Sequence, residues 1–275
     1  MVKESNLEKG ISAIIPTYKG EAFISKLLDS LINQSIDPKL FEAIFIVNGE
    51  PDSTPDIIKK YQKENPQINI ILTYSDPGVC NARNVGIDLS TREYSIFIDD
   101  DDYVSPFYLE ELYAKASLDT ISLCYPYAFN DGTPEIQLPY YITDAYEYCS
   151  RQTRCLKLSS KVRKYFSGPC MKLIPMDIIK ERRFDVNFRN GEDTLFMFLI
   201  SDRFRYFAIT SPSAVYYRRY RLGSALFNKR SLKERVVNCI LHQFYYVRIF
   251  ISNPFKYNFT FFVSRFLGEF VSIRN

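Results

Sequence analysis

Ile11 to Pro16 (Ile-Ser-Ala-Ile-Ile-Pro) is a short, nearly continuous apolar run, and Tyr18-Lys19-Gly20 breaks it before Phe23, Ile24, Leu27, Leu28 and Leu31 recur at helical spacing. An apolar run closed by a turn signal reads as a buried strand, and the recurrence at three and four as one face of a helix. The alternation repeats: Phe41–Val47 predicts a strand, Asp56–Glu64 a helix, Ile68–Thr73 a strand, Val79–Leu89 a helix and Tyr94–Ile98 a strand. Strands apolar on both faces and separated by helices predict a parallel sheet covered by helices. In such sheets ligands gather beyond the carboxyl ends of the strands, so the residues just after each strand are the ones to inspect.

The last of these junctions carries the most chemistry, because Ile96-Phe97-Ile98 runs straight into Asp99-Asp100-Asp101-Asp102. Four adjacent carboxylates cannot be buried unpaired. They read either as a solvated helix start ahead of Pro106, where acids are favoured, or as ligands of a divalent cation. Hard oxygen donors suit Mg2+ or Mn2+, which also hold phosphate oxygens. Residues 120–165 are less legible: a tyrosine-rich stretch (Tyr125, Tyr127, Tyr140, Tyr141, Tyr146, Tyr148) precedes a basic one from Arg151 to Lys164. Either a solvated face lies over packed aromatics there, or a surface for sugar or RNA.

Composition narrows the choice. With 275 residues, 46% of them hydrophobic, the chain can bury a full core. Its 35 basic against 32 acidic residues leave +3, which gives no general electrostatic case for a nucleic-acid partner. Six cysteines without a CxxC pair and a single histidine, His242, argue against a Cys/His zinc site and fit reduced thiols in the cytoplasm. The polar segment Met1–Gly10 does not read as a secretory signal, and no apolar run of about 18 residues is present to span a bilayer. The expectation is a cytoplasmic protein, soluble or peripheral on the inner face of the membrane.

Taken in order, Ile14-Ile-Pro-Thr-Tyr18, Ala82-Arg-Asn-Val-Gly86, Phe97-Ile-Asp-Asp-Asp-Asp102 and Asn190-Gly-Glu-Asp193 resemble the motifs of the family 2 glycosyltransferases. That resemblance, over roughly residues 10–225, implies the Rossmann-like GT-A fold, a mixed, mainly parallel sheet flanked by helices. A glycosyltransferase domain would span residues 1–225, its nucleotide-sugar half about 10–102 and its acceptor half about 103–225. A C-terminal amphipathic helical extension would occupy 226–275. It also implies an inverting transfer from a UDP-sugar, assisted by Mn2+ or Mg2+, to an oligosaccharide or lipid-linked glycan acceptor in surface polysaccharide synthesis. Pro16, Thr17 and Tyr18 would lie against the nucleoside, Arg83 and Asn84 at the nucleotide or its phosphates, and Gly86 would admit close helix packing. Asp99-Asp100-Asp101 resembles the family's Asp-x-Asp motif, with Asp99 at the ribose or a metal-bound water, Asp100 beside it, and Asp101 on the metal. Asp193 would be the general base. An aromatic face and a carboxylate suit those tasks. More loosely, Gly168-Pro-Cys-Met-Lys172 resembles the acceptor-side lysine segment, and Tyr217-Arg-Arg-Tyr-Arg-Leu-Gly-Ser224 a late basic motif whose Arg219 and Arg221 would approach the diphosphate.

Two departures matter. Where the family commonly has Asp-Asp-Gly-Ser after the second strand, this chain has Val47-Asn-Gly-Glu50-Pro-Asp52, so base recognition passes to Asn48, Glu50 or Asp52. Tryptophan is absent, and with it the Gln-x-x-Arg-Trp motif of processive synthases. From Phe255 on, Phe259, Phe262, Val263, Phe266, Leu267 and Phe270 form an apolar helical face behind a basic cluster of Lys229, Arg230, Lys233 and Arg235. That face is expected to pack on its own domain or a second subunit, or to lie on a membrane. A polyprenyl-phosphate acceptor and a non-catalytic nucleotide-binding scaffold stand as alternative functions. A sugar nucleotidyltransferase lacks its Gly-rich loop here.

Overall fold

A computed structural model describes residues 7–50, 52–152, 156–188, 190–221 and 231–274. Residues 1–6 of the N-terminal segment, Pro51, Arg154, Cys155, Gly223, Ser224, Lys229, Arg230, the 225/226 boundary and the Arg274 side chain lie outside the description.

The first apolar run forms β1 (Glu8–Thr17) and the next three form β2 (Phe41–Asn48), β3 (Asn69–Ser75) and β4 (Arg92–Phe97), joined through α1 (Ile24–Ile32), α2 (Thr54–Glu64) and α3 (Val79–Leu89). These four strands are mutually parallel in the order β3-β2-β1-β4. The sheet is wound outward from β1 in both directions, so its switch point falls between the ends of β1 and β4, where α/β sheets form a crevice. Gly86 allows α3 to lie close over β1: a Cβ there would stand 2.3 Å from Ile14 Cγ2, as the motif implies.

β5 (Tyr103–Val104), α4 (Tyr108–Ala114), β6 (Thr120–Leu123), β7 (Tyr125–Asn130) and α5 (Tyr141–Ser150) follow. β8 (Lys172–Pro175) joins β4 antiparallel, and β6 and β9 (Tyr206–Ile209) complete a seven-stranded sheet. Between them lie α6 (Met176–Ile179) and α7 (Glu192–Leu199). A second sheet sets β10 (Val215–Tyr220) between β5 and β7. Because β5 directly follows the aspartate run, this pairing carries residues 216–221 to those carboxylates.

The tail is two helices, α8 (Leu232–Ser252) and α9 (Phe259–Arg274), rather than one from Phe255; Phe255 sits in the turn between them, 99% exposed. Asn253-Pro254 accounts for the break, since the residue before proline disfavours helix. Of the tail's expected partners, its own domain is observed. Phe261 is buried against Phe198 of α7, and Tyr246 and Tyr257 donate hydrogen bonds to Thr194 Oγ1 and the Leu199 carbonyl.

Candidate active site

The end of β1 turns at Lys19, which adopts φ 50°, and the Tyr18 N–H reaches across the switch point to Asp100 Oδ2 at 2.9 Å. Burial pushes the Asp100 carboxyl up to about 7, against the Tyr18 N–H and with the help of Asp101 and Asp99. Asp101 and Asp102 are likewise raised by burial and by their neighbours. Two arginines from the end of β10 reach the run. Arg221 Nε donates to Asp101 Oδ2 at 2.6 Å, while Arg219 donates its backbone N–H to Asp102 Oδ1 and its guanidinium to the Asp101 carbonyl and Asp131. Arg219 is therefore a strut inside the fold, and Arg221 guards the carboxylate expected to hold a metal.

At the centre is Arg83 of α3, whose side chain is 5% exposed. One guanidinium nitrogen meets Asp193 Oδ1 at 2.5 Å and another meets Asp99 Oδ1 at 3.1 Å, so a single buried cation ties the start of α7 to the end of β4. Both carboxylates hold the Arg83 pKa above its usual value despite burial. Burial raises Asp193 to about 6; Arg83 pulls it down, and Glu192 and Asp99 push it up. Its side chain keeps 28% exposure, so it meets solvent as a weak base poised near neutrality. Gly191 sets the entry of α7: its φ is +75°, and a Cβ would lie 2.2 Å from His242 Cε1 on α8. Helix α8 thus packs against the entry of α7.

Lys172, expected on the acceptor side, is instead fully buried. Its ammonium donates to the Gly168 and Cys170 carbonyls at 2.6 and 2.5 Å, and burial lowers its pKa to about 8. It shapes the loop at Gly168, where a Cβ would lie 3.8 Å from Asp193 Oδ2. Other expected site residues also have partners within the fold. Pro16 and Thr17 are buried within β1, and Thr17 Oγ1 bonds the Ile15 carbonyl. Asn84 exchanges hydrogen bonds with the Phe184 backbone. Asp52 accepts from the Thr54 and Glu21 N–H groups at the start of α2; these bonds hold its pKa below the usual value although burial opposes them.

A cleft of about 590 Å3 opens over the ends of β1, β2 and β3, lined by Tyr18, Asn48, Gly49, Glu50 and Ser75-Asp76-Pro77-Gly78. Tyr18 is 52% exposed there, and Asn48 is fixed by bonds to the Thr17 carbonyl and the Gly78 N–H. Its dimensions and aromatic wall suit a nucleobase. Ser75 to Gly78 escaped the sequence reading, although they follow a predicted strand. A second cleft of about 760 Å3 runs between Asn187, Phe188 and Asn190 on one side and α8 on the other, past Val237, Leu241 and Tyr245. It borders the start of α7.

No group of three or more Cys, His, Asp or Glu among the described residues is arranged to hold a metal alone. The donors nonetheless fit a cation shared with a diphosphate, since Mg2+ takes one or two carboxylates and completes its shell from water and substrate phosphates. Asp99, 44% exposed, and Asp101 supply hard oxygens whose crowding a cation would relieve. In the 151–164 stretch, Arg163 donates to the Thr260 carbonyl and Lys161 lies over Tyr148, so these two residues are spent on packing.

Residues 12–182 match the family described as Glycosyl transferase family 2. Among curated relatives, the minor teichoic acid biosynthesis protein GgaB of Bacillus subtilis is 26% identical over 82% of this chain and 24% of its own length. The poly(ribitol-phosphate) beta-glucosyltransferase of Bacillus spizizenii is 37% identical over 34% and 15%. The chain thus spans a quarter or less of the length of these relatives. Among solved structures, Staphylococcus aureus TarS 1-349 with UDP-GlcNAc superposes at TM-score 0.75 and 21% identity, covering 96% of this chain and 73% of that one. The mannosyltransferase PcManGT of Pyrobaculum calidifontis, with GDP-Man and Mn2+, superposes at 0.59 and 14%, over 99% and 76%. These likenesses establish the fold as that of GT-A glycosyltransferases.

Proposed function

Because the chain belongs to glycosyl transferase family 2, we propose that it moves a sugar from a UDP-sugar to a hydroxyl of a surface polymer of the polysaccharide or teichoic acid kind. The observation that carries this reading is the Arg83 fork, which joins a carboxylate at the diphosphate side, Asp99, to one poised as base, Asp193. The uridine stacks on Tyr18 in the cleft over β1 to β3, with Asn48 and Glu50 at its edge. The diphosphate lies at the switch point, before Asp99 and Asp101. Asp99 and Asp101 would hold Mn2+ or Mg2+ there, and the bound cation would neutralise charge developing on the departing UDP. Arg221, released from Asp101, is free to turn to the same phosphates.

The acceptor enters from the side of the cleft that Asn187, Phe188 and Asn190 form with α8, next to the start of α7. Asp193 removes the proton of its hydroxyl as that oxygen attacks the anomeric carbon, a single displacement that inverts the centre. Deprotonation at about 6 leaves the carboxylate ionised at neutral pH yet basic enough to share a proton. The names of the relatives support a teichoic-acid or poly(ribitol-phosphate) acceptor, and the fold of the UDP-GlcNAc complex supports a UDP-sugar. A nucleotide-sugar donor supports the expectation of a cytoplasmic protein.

The test is transfer of labelled sugar from UDP-glucose and UDP-GlcNAc to a polyol-phosphate or saccharide acceptor, with two variants in parallel. Asp193→Asn keeps UDP binding and loses transfer, whereas Asp101→Asn loses cation-dependent UDP binding as well. Normal transfer by Asp193→Asn would remove the base assignment. UDP binding without transfer to any acceptor by the unaltered chain would return the scaffold alternative.

A further inference from the structure

We propose that the outer face of the C-terminal helical hairpin is a docking surface for an anionic lipid bilayer. On α8, Val236, Ile240, Phe244 and Ile251 recur at four- and seven-residue spacing and are 36%, 60%, 61% and 66% exposed. They form one stripe. Cys239, His242 and Tyr246 mark the buried flank of the same helix, turned to the catalytic domain. The flank between the two meets α9, where Phe250 stacks on Phe262 and Gln243 bonds the Phe266 carbonyl. In α9 the order is the mirror of this: Phe261 faces the domain, Phe262 faces α8, and Leu267, Phe270 and Val271 are exposed. Mirror order is what antiparallel neighbours require for their free stripes to share a face. The hairpin therefore turns one apolar surface outward, with Phe255 bare at its tip.

An exposed apolar surface of this extent calls for a partner. Charge identifies it. Of the six Lys or Arg in residues 231–275, Arg265 turns inward to the Phe166 carbonyl, and the remaining five stand against two acidic residues. Both acids have internal work: Glu234 closes a capping box with Ser231, and Glu269 pairs with His242. Arg248 beside the stripe and Lys256 beside Phe255 are exposed. A second copy docked about a two-fold axis would set this basic rim against itself. A bilayer bearing phosphatidylglycerol offers acyl chains to the stripe and anionic headgroups to the rim. The 760 Å3 cleft lies along another flank of α8, so a membrane-borne acceptor would reach the base without leaving the surface. The proposal itself does not depend on the transfer reaction.

Flotation of the full chain with vesicles tests it, using phosphatidylcholine alone and phosphatidylcholine mixed with phosphatidylglycerol. Binding is expected to the mixed vesicles, to weaken in high salt, and to fall about fivefold for each unit of charge lost, hence about 25-fold for each of Arg248→Glu and Lys256→Glu. Ile240→Ser with Phe255→Ser should abolish it. These side chains are exposed, and unchanged thermal midpoints and UDP binding establish that the variants fold. Equal binding to both vesicles, no binding, or binding indifferent to all four substitutions would overturn the proposal. So would sedimentation showing a lipid-free dimer that Ile240→Ser with Phe255→Ser dissolves.

Discussion

Replacing Arg83 by methionine keeps the length and apolar body of the side chain and removes the charge between Asp193 and Asp99. An adjacent arginine lowers a carboxylate by roughly 1–3 pK units, and Arg83 is the foremost influence pulling Asp193 down from what burial imposes. With Asp193 at about 6, roughly ten carboxylates in eleven are ionised at pH 7. Displacing it by roughly two units leaves about one in eleven, a tenfold loss from protonation alone. That part of the loss is recoverable: the acid limb of the pH–rate profile, followed as UDP release, should move up by the same interval and the variant should gain on the parent up to about pH 9. Stability carries the same sign. Stranding two partly buried carboxylates costs about 3 kcal/mol, the low end for a broken buried pair, because Asp99 and Asp193 keep 44% and 28% exposure. The folded pKa of Asp193 is then raised further above the unfolded one, so the folded chain binds more protons and the deficit shrinks as pH falls toward 4. A loss of rate equal at every pH, or a deficit constant from pH 4 to 8, would refute this account of the fork.

Gly191→Ala forces a Cβ toward His242 from a left-handed backbone and should cost about 1–3 kcal/mol in chemical denaturation with a loss of transfer; an unchanged midpoint would mean that the glycine does not set the entry of α7. Tyr18→Ala should weaken UDP roughly five- to 150-fold, as for one lost base stack. Calorimetry decides: an equal loss for inorganic pyrophosphate would place Tyr18 at the phosphates instead. Lys172 has a folded pKa of about 8 against 10.5 unfolded, so its buried charge is a penalty at neutral pH that lifts as pH rises between those values. The stability of the parent relative to Lys172→Met should therefore climb from pH 8 to pH 10.5, and a flat difference would refute the buried cation.

The half of the fold that holds the nucleotide cleft was legible because each strand and helix there carries its own signal. Val79–Leu89 matches its helix residue for residue, and β1 to β4 differ from expectation by three residues or fewer at each end. The small sheet was not legible, since β5 is two residues long and its partner β10 lies over a hundred residues away. Without that pairing, Arg219 and Arg221 have no visible reason to meet Asp101 and Asp102. Motif membership located Asn84, Thr17 and Lys172 but not the direction of their side chains, which the turns around them decide. Helix α8 had a readable start in Ser231-x-x-Glu234, a capping box that both side chains close. Its outer apolar stripe becomes meaningful once the buried flank is known.

The central claim is that one site joins a uridine cleft, a cation-dependent diphosphate seat and a base. It is tested most directly by titrating UDP, GDP, CDP and dTDP into the full chain with Mn2+ and with chelator, beside Asp101→Asn. The account predicts binding selective for UDP, dependent on Mn2+ and lost in Asp101→Asn, with a stabilisation of about 2.7 kcal/mol at a hundredfold excess over the dissociation constant. Binding indifferent to the nucleotide, or unaffected by both chelator and Asp101→Asn, would contradict it.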